Sequence, residues 1–165
     1  MIETKRLTLK KLSNENANSI YEYMSDYDTC KYLYHGKHNS LNDTFNFINS
    51  DNISIDLYGI FLKEDDSLIG HIGYLFEPID ELLWVLNKKY TNNGYAFEAA
   101  NEYIKYLFKK YNFDIINGHA DINNIGSIKL MERLGMTKYE ITIREYPDDR
   151  LDTEEVGYYI KKNSL

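Results

Sequence analysis

Cysteine is all but absent: Cys30 is the only one in 165 residues. No disulfide can close within the chain and no cysteine cluster can hold a metal, so a reducing cytoplasm is the expected setting. No spacing of ligating residues points to a metal site either. No apolar run approaches the roughly 20 residues that a membrane-spanning helix needs. The opening residues, Met1-Ile2-Glu3-Thr4-Lys5, contain no apolar leader core. Positive charge is in deficit, with 19 Lys and Arg against 26 Asp and Glu, a net −7. That balance disfavours nucleic acid as a partner and suits a cationic amine. Repeats, low-complexity tracts and linkers are missing too.

A hydrophobic share of 43% takes the chain out of the disordered class. One domain, residues 1–165, is expected from the length. A domain of this size buries roughly 70% of its unfolded surface, enough for a core without staples.

Taken in order, Arg6 to Lys10 alternates and predicts a first strand. Ser13 or Asn14 can cap a helix to about Ser25. Asp28 to Tyr34 predicts a second, short helix. Ser40 with Asp43 forms a capping box for a third, ending near Ser50. Ile55 to Lys63 and Leu68 to Phe76 read as a hairpin around an acidic turn, with Pro78 ending its second strand. Asp80 to Asn87 is the next strand. Lys138 to Tyr146 and Glu154 to Lys161 alternate around Pro147-Asp148-Asp149-Arg150, a second hairpin. Tyrosine is abundant, with 16 residues; most suit packing, while Tyr32, Tyr34 and Tyr146 are candidates to wall an acceptor groove.

The stretch from Glu81 to Leu107 organises the rest. An apolar strand, Leu82 to Leu86, leads through a polar loop into a helix that Gly94 opens. Ala96, Ala99, Ala100, Tyr103, Ile104 and Leu107 recur there at helical spacing. Amides at a helix start lack intrahelical partners, and the helix dipole adds partial positive charge. With a glycine to permit close approach, Asn92, Asn93, Gly94, Tyr95 and Ala96 suit a phosphate or pyrophosphate. Alone, Gly94 reads equally as a turn glycine. A second stretch follows. A short strand, Ile115 to Ala120, precedes a helix that Asn124 can cap and Gly135 can end.

Gly94-Tyr95-Ala96 with Glu98-Ala99, then Asn124 with Ser127 and Leu134-Gly135-Met136, resembles the GNAT superfamily of acetyl-CoA-dependent N-acetyltransferases. The alternation around Glu81 and Tyr90 before the loop are most similar to its RimJ/RimL-like branch. Thr91 departs from the family, which usually has Gln or Arg there. The resemblance implies an α/β three-layer fold: a central mixed β-sheet of about seven strands, with right-handed crossovers making its middle parallel and helices on both faces. It implies acetyl-CoA as co-substrate, no metal, and a monomer or homodimer free of nucleic acid and membrane. The strands at Glu81 and Ile115 would splay, and the pantetheine arm would pair with backbone near Val85 and Leu86. Asn124 and Ser127 would contact the cofactor as well.

Transfer to an amine needs a neutral nucleophile, a donor for the carbonyl oxygen and a proton for the departing thiolate. Glu81 at the cleft mouth and Glu145 are the candidate bases. His119 and His71 read as satisfied structural histidines. The family's usual acid, a tyrosine four residues after the Ser127 position, is Met131 here, so Ser127 or a water is the candidate acid. The acceptor would be a protein N-terminus, ribosomal-protein-type, or a small-molecule amine. The alternative is a non-catalytic acyl-CoA-binding regulatory module.

Overall fold

The computed structural model describes residues 1–49, 55–76 and 79–164. Among the described residues, eight strands and five α-helices follow one another: β1 (Ile2–Glu3), β2 (Leu7–Lys10), α1 (Ala17–Met24), α2 (Tyr27–Cys30), α3 (Leu41–Ile48), β3 (Ile55–Leu62), β4 (Leu68–Leu75), β5 (Glu81–Leu86), α4 (Tyr95–Tyr111), β6 (Ile115–Asp121), α5 (Ile125–Arg133), β7 (Thr137–Arg144) and β8 (Thr153–Lys161). β1 is a two-residue strand that the sequence pattern does not announce. Pro78 and Ser50, expected to end a strand and a helix, lie outside the described residues.

The α/β fold matches the expectation, but its sheet differs in detail. The strands form two sheets, β1-β2-β3-β4-β5 and β6-β8-β7. Every ladder among the described residues is antiparallel, so the expected parallel middle is not a ladder at all. The sheets meet where β5 lies beside β6. Side chains join them there. Asp80 accepts from Tyr74 OH at 2.7 Å and from Asn117 Nδ2 at 3.2 Å. Glu81 Oε2 lies 3.0 Å from His119 Nδ1. Bonds at the start of β5 therefore hold the two strands together without zipping them.

α4 carries its buried stripe, Ala99, Ala100, Tyr103, Ile104, Leu107 and Phe108, onto one face of the larger sheet. The alanines let the helix approach closely. On β4, Ile72 and Tyr74 belong to that core, while His71, one residue over, points to the opposite face among Tyr23 and Phe47. That is the alternation a strand imposes. The second face is covered by α1 to α3, around Ile20, Tyr23, Met24 and Cys30. α3 begins with the expected capping box of Ser40 and Asp43. α2 is shorter than predicted: Asp26 caps its start, but the chain leaves the helix after Cys30. α5 ends as expected at Gly135, whose φ is +77°. Met136 N–H donates to Met131 O and Gly135 N–H to Glu132 O, which satisfies two carbonyls of the last turn.

Candidate active site

β5 and β6 each carry a ladder on one side only, β5 to β4 and β6 to β8. A cavity of about 620 Å3 is lined by Leu82, Trp84 and Val85 of one strand and by His119, Ala120 and Asp121 of the other. Asn87 N–H donates to Ile69 O of β4 at 2.8 Å. Antiparallel pairs alternate, so Val85 bonds toward β4, whereas Trp84 and Leu86 turn their backbone groups away from it.

Beyond β5 the chain turns through residues 87–94 into α4. Asn92 and Gly94 sit at φ +63° and +79°, conformations that Asn and Gly tolerate best. Among the described residues, no backbone group accepts from the amides of residues 92–97. They stand at the positive end of a 17-residue helix. Arg6 braces the loop: its Nη1 donates to Asn93 O at 3.0 Å, and its Nε donates to Glu98 at 2.7 Å. The loop's own cations are turned aside, Lys88 to Asp26 at 2.5 Å and Lys89 to Glu22 at 2.6 Å. Thr91 Oγ1 donates back to Lys88 O. An anion at this loop would thus be held by backbone rather than by lysine or threonine.

Asn124 caps α5, its side chain accepting from Ser127 N–H at 3.3 Å, and both residues line the cavity. Glu81, His119 and Glu145 line it too. Glu145 is exposed, just past the end of β7. His119, read from the sequence as a satisfied structural histidine, has neighbours within hydrogen-bond reach of both ring nitrogens. Besides Glu81, it contacts Tyr139 OH at 2.9 Å and Glu140 Oε1 at 3.5 Å through Nε2. The hydrogen bond to Glu81 raises its pKa against the opposing effect of burial. A linear sequence does not say which strand β6 adjoins, so nothing in it pairs His119 with Glu81.

The other groups behave as structural ones. His71 is buried, hydrogen-bonded to Tyr23 OH at 2.9 Å, and burial pushes its pKa down to about 3. Cys30 is 1% exposed, and burial lifts its thiol to about 12. Met131 is wholly buried and packs toward Gly118. It offers the cavity no proton. Tyr32 and Tyr34 line the cavity, while Tyr146 OH donates to the buried Asp121 at 2.8 Å. Among the described residues, no group of three or more His, Cys, Asp or Glu is placed to hold a metal ion, and no helix is long and apolar enough to cross a membrane.

The family model described as "Acetyltransferase (GNAT) domain" matches residues 6–137. The chain belongs to the GNAT acetyltransferase family. As an acyltransferase it is an enzyme, which removes the binding-module alternative. It is 34% identical over 141 residues to the uncharacterized N-acetyltransferase YnaD of Bacillus subtilis (strain 168), covering 83% of this chain and 82% of that one. A GNAT-family acetyltransferase from Bacillus anthracis superposes with a TM-score of 0.87 at 31% identity, covering 98% of each chain. A spermidine N-acetyltransferase from Vibrio cholerae, solved in complex with CoA and spermine, shares the fold with a TM-score of 0.81 at 18% identity, over 96% of this chain and 97% of that one. The family uses acetyl-CoA. The residues of this acetyltransferase fit it: unpartnered amides at the start of α4 suit the pyrophosphate, and the open edges of β5 and β6 suit an amide-bearing arm.

Proposed function

We propose that this enzyme acetylates a primary amine by direct attack within a ternary complex, with Glu81 and His119 together removing the amine's proton. The observation that carries this reading is the 3.0 Å contact between the two side chains, made across the cleft from opposite strands. Acetyl-CoA supplies an activated thioester. Gly94 and its neighbouring amides hold the pyrophosphate, with Asn92, Asn93, Tyr95 and Ala96. Of the two β5 residues expected to meet the pantetheine arm, Leu86 turns its backbone groups away from β4, and Val85 contributes side-chain wall. Asn124 and Ser127 flank the arm from α5.

An alkyl ammonium has a pKa near ~10 and must lose a proton before it attacks. Glu81 accepts it, and the proton passes through His119 toward Glu140 and solvent at the surface. The departing thiolate takes a proton from Ser127 or from water, since Met131 has none to give. Cys30, buried and with its pKa raised, forms no acyl-enzyme. The acceptor is a protein N-terminus, such as that of a ribosomal protein, or a small amine; either satisfies this chemistry.

Turnover across pH for Glu81→Gln, His119→Gln and Glu145→Gln tests the assignment. Glu81→Gln should lower kcat by about 10²–10⁴-fold, with acetyl-CoA affinity unchanged. The acidic limb of the wild-type profile should lie above the ordinary histidine value of ~6.5, because Glu81 raises the His119 pKa and a protonated His119 cannot relay. His119→Gln should remove that limb. Wild-type turnover in Glu81→Gln beside loss in Glu145→Gln would move the base to Glu145. Initial-rate plots should intersect; parallel lines would defeat direct transfer.

A further inference from the structure

The outer end of the cavity has two walls from distant parts of the chain. Tyr32, Leu33 and Tyr34, after α2, form one; Ile143, Arg144 and Glu145, at the end of β7, form the other. Arg150, in the turn between β7 and β8, reaches from the second wall to the first. Its Nη1 donates to Lys31 O at 3.0 Å and to Leu33 O at 2.7 Å, and its Nη2 donates to Tyr34 O at 2.8 Å. Its Nε donates to Asp148, at 2.7 and 2.9 Å to the two oxygens. Four of the five guanidinium N–H groups are thereby used. Below the guanidinium lies the Tyr146 ring, 4.0 Å away. Gly36, at φ +67°, allows its loop to pass close: a Cβ there would stand 3.6 Å from both Arg150 Nη2 and Asp148 Oδ2.

Arg150 thus donates to three carbonyls just past the end of α2, and that of Leu33 also accepts from Gly36 N–H at 3.1 Å. Leu151, next to Arg150, is 89% exposed and does not pack into that tie. Beyond its internal bonds, the turn is anchored by Arg150 and by the bond from Tyr146 to Asp121. We propose that Arg150 is a specificity-determining residue, which fixes the spacing of the two walls so that the acceptor end admits a slender alkylamine and turns away a polypeptide N-terminus. This rests on the acetyl-transfer reading above. A cavity of about 620 Å3 shared by the acyl-bearing arm and the acceptor leaves room for a small molecule rather than for several residues of chain. The Glu145 carboxylate at its rim attracts a cation. Arg150 acts through the walls and touches neither reactant.

The experiment compares wild type with Arg150→Gln and Arg150→Lys on two acceptors, putrescine and an unblocked tetrapeptide. Wild type should prefer putrescine in kcat/KM. Arg150→Gln should raise the putrescine KM by about tenfold with little change in kcat, and should shift the putrescine-to-peptide ratio toward the peptide by a similar factor. The KM for acetyl-CoA should stay put. Lysine keeps the charge but cannot span three carbonyls, so Arg150→Lys should fall between. A second readout needs no turnover. Trp84 is the chain's one tryptophan and lines the cavity, so its fluorescence quenching by acrylamide should rise in Arg150→Gln. If that variant does not fold, Asp148→Asn, which loosens the guanidinium's anchor, should raise the quenching instead. Unchanged quenching in folded variants overturns the tie. A wild type that prefers the peptide, or an unaltered acceptor ratio in Arg150→Gln, overturns the selection. Altered quenching in a protein that acetylates no amine would sink the acetyl-transfer reading and leave the tie standing.

Discussion

Replacing Glu98 with Gln should unsettle the phosphate loop and the fold together. The Glu98 carboxylate accepts from Thr4 Oγ1 at 2.6 Å, from Arg6 N–H at 2.6 Å and from Arg6 Nε at 2.7 Å. Burial alone would raise its pKa, but these donors and the Arg6 charge hold it below the ordinary carboxylate range. Gln keeps the shape and brings an NH2 group into a site that offers only donors. At least one contact becomes donor against donor, and the others lose their charge assistance. Hydrogen bonds to charged groups contribute about 1.5–3 kcal/mol and neutral ones about 1, so Glu98→Gln should lower the unfolding free energy by about 2–4 kcal/mol. Arg6 would also be freed from its brace on Asn93 O, and a less ordered loop should bind acetyl-CoA roughly 3–10-fold more weakly. Urea unfolding and calorimetric titration measure the two effects. The sign with pH is definite. A carboxylate whose folded pKa is depressed stabilises above its unfolded value of roughly 4.3, and that contribution is lost as pH falls through the folded value. The gap between wild type and variant should therefore close in acid. An unfolding free energy within about 0.5 kcal/mol of wild type at neutral pH, the spread of an ordinary surface change, would refute the reasoning.

Gly94→Glu should weaken acetyl-CoA binding in a folded protein, because a side chain and a like charge would meet the pyrophosphate; calorimetry showing wild-type affinity would remove that site from the loop. His71 should make the protein acid-sensitive. Its folded pKa is pushed down to about 3 while the unfolded ring titrates near ~6.5, so stability is whole above ~6.5 and declines as pH falls toward 3. In His71→Gln the fall in denaturation midpoint between neutral and mildly acidic pH should be shallower, even if the variant starts lower.

The fold and the turn into α4 were legible for physical reasons. Gly94, Asn124, Ser40 and Gly135 act through the backbone of their own neighbourhood, so local sequence carries their signal. Period-2 and helical patterns located the larger strands and α4. What stayed hidden depends on which segments meet. The pairing of His119 with Glu81 exists only because β6 adjoins β5, and neither residue's surroundings in sequence differ from those of an ordinary charged strand end. The tie from Arg150 to the segment after α2 was illegible for the same reason, since Arg150 sits more than 110 residues downstream of the carbonyls it takes. The splay of β5 from β6 that the resemblance implies is present, while the expected parallel middle is not a ladder, because strand, helix, strand order predicts adjacency but says nothing about whether a ladder forms.

The seam between β5 and β6 has the character of a sheet with one strand missing. The two strands present backbone edges to each other and are joined by side chains at the start of β5. A pantetheine arm, with its own amide groups, can serve as a surrogate strand. Part of the affinity for the cofactor would then come from completing secondary structure rather than from recognising a nucleotide. It follows that amide exchange along Trp84 to Leu86 should slow when CoA binds. The unliganded protein, with two open edges, should be the form more prone to self-association.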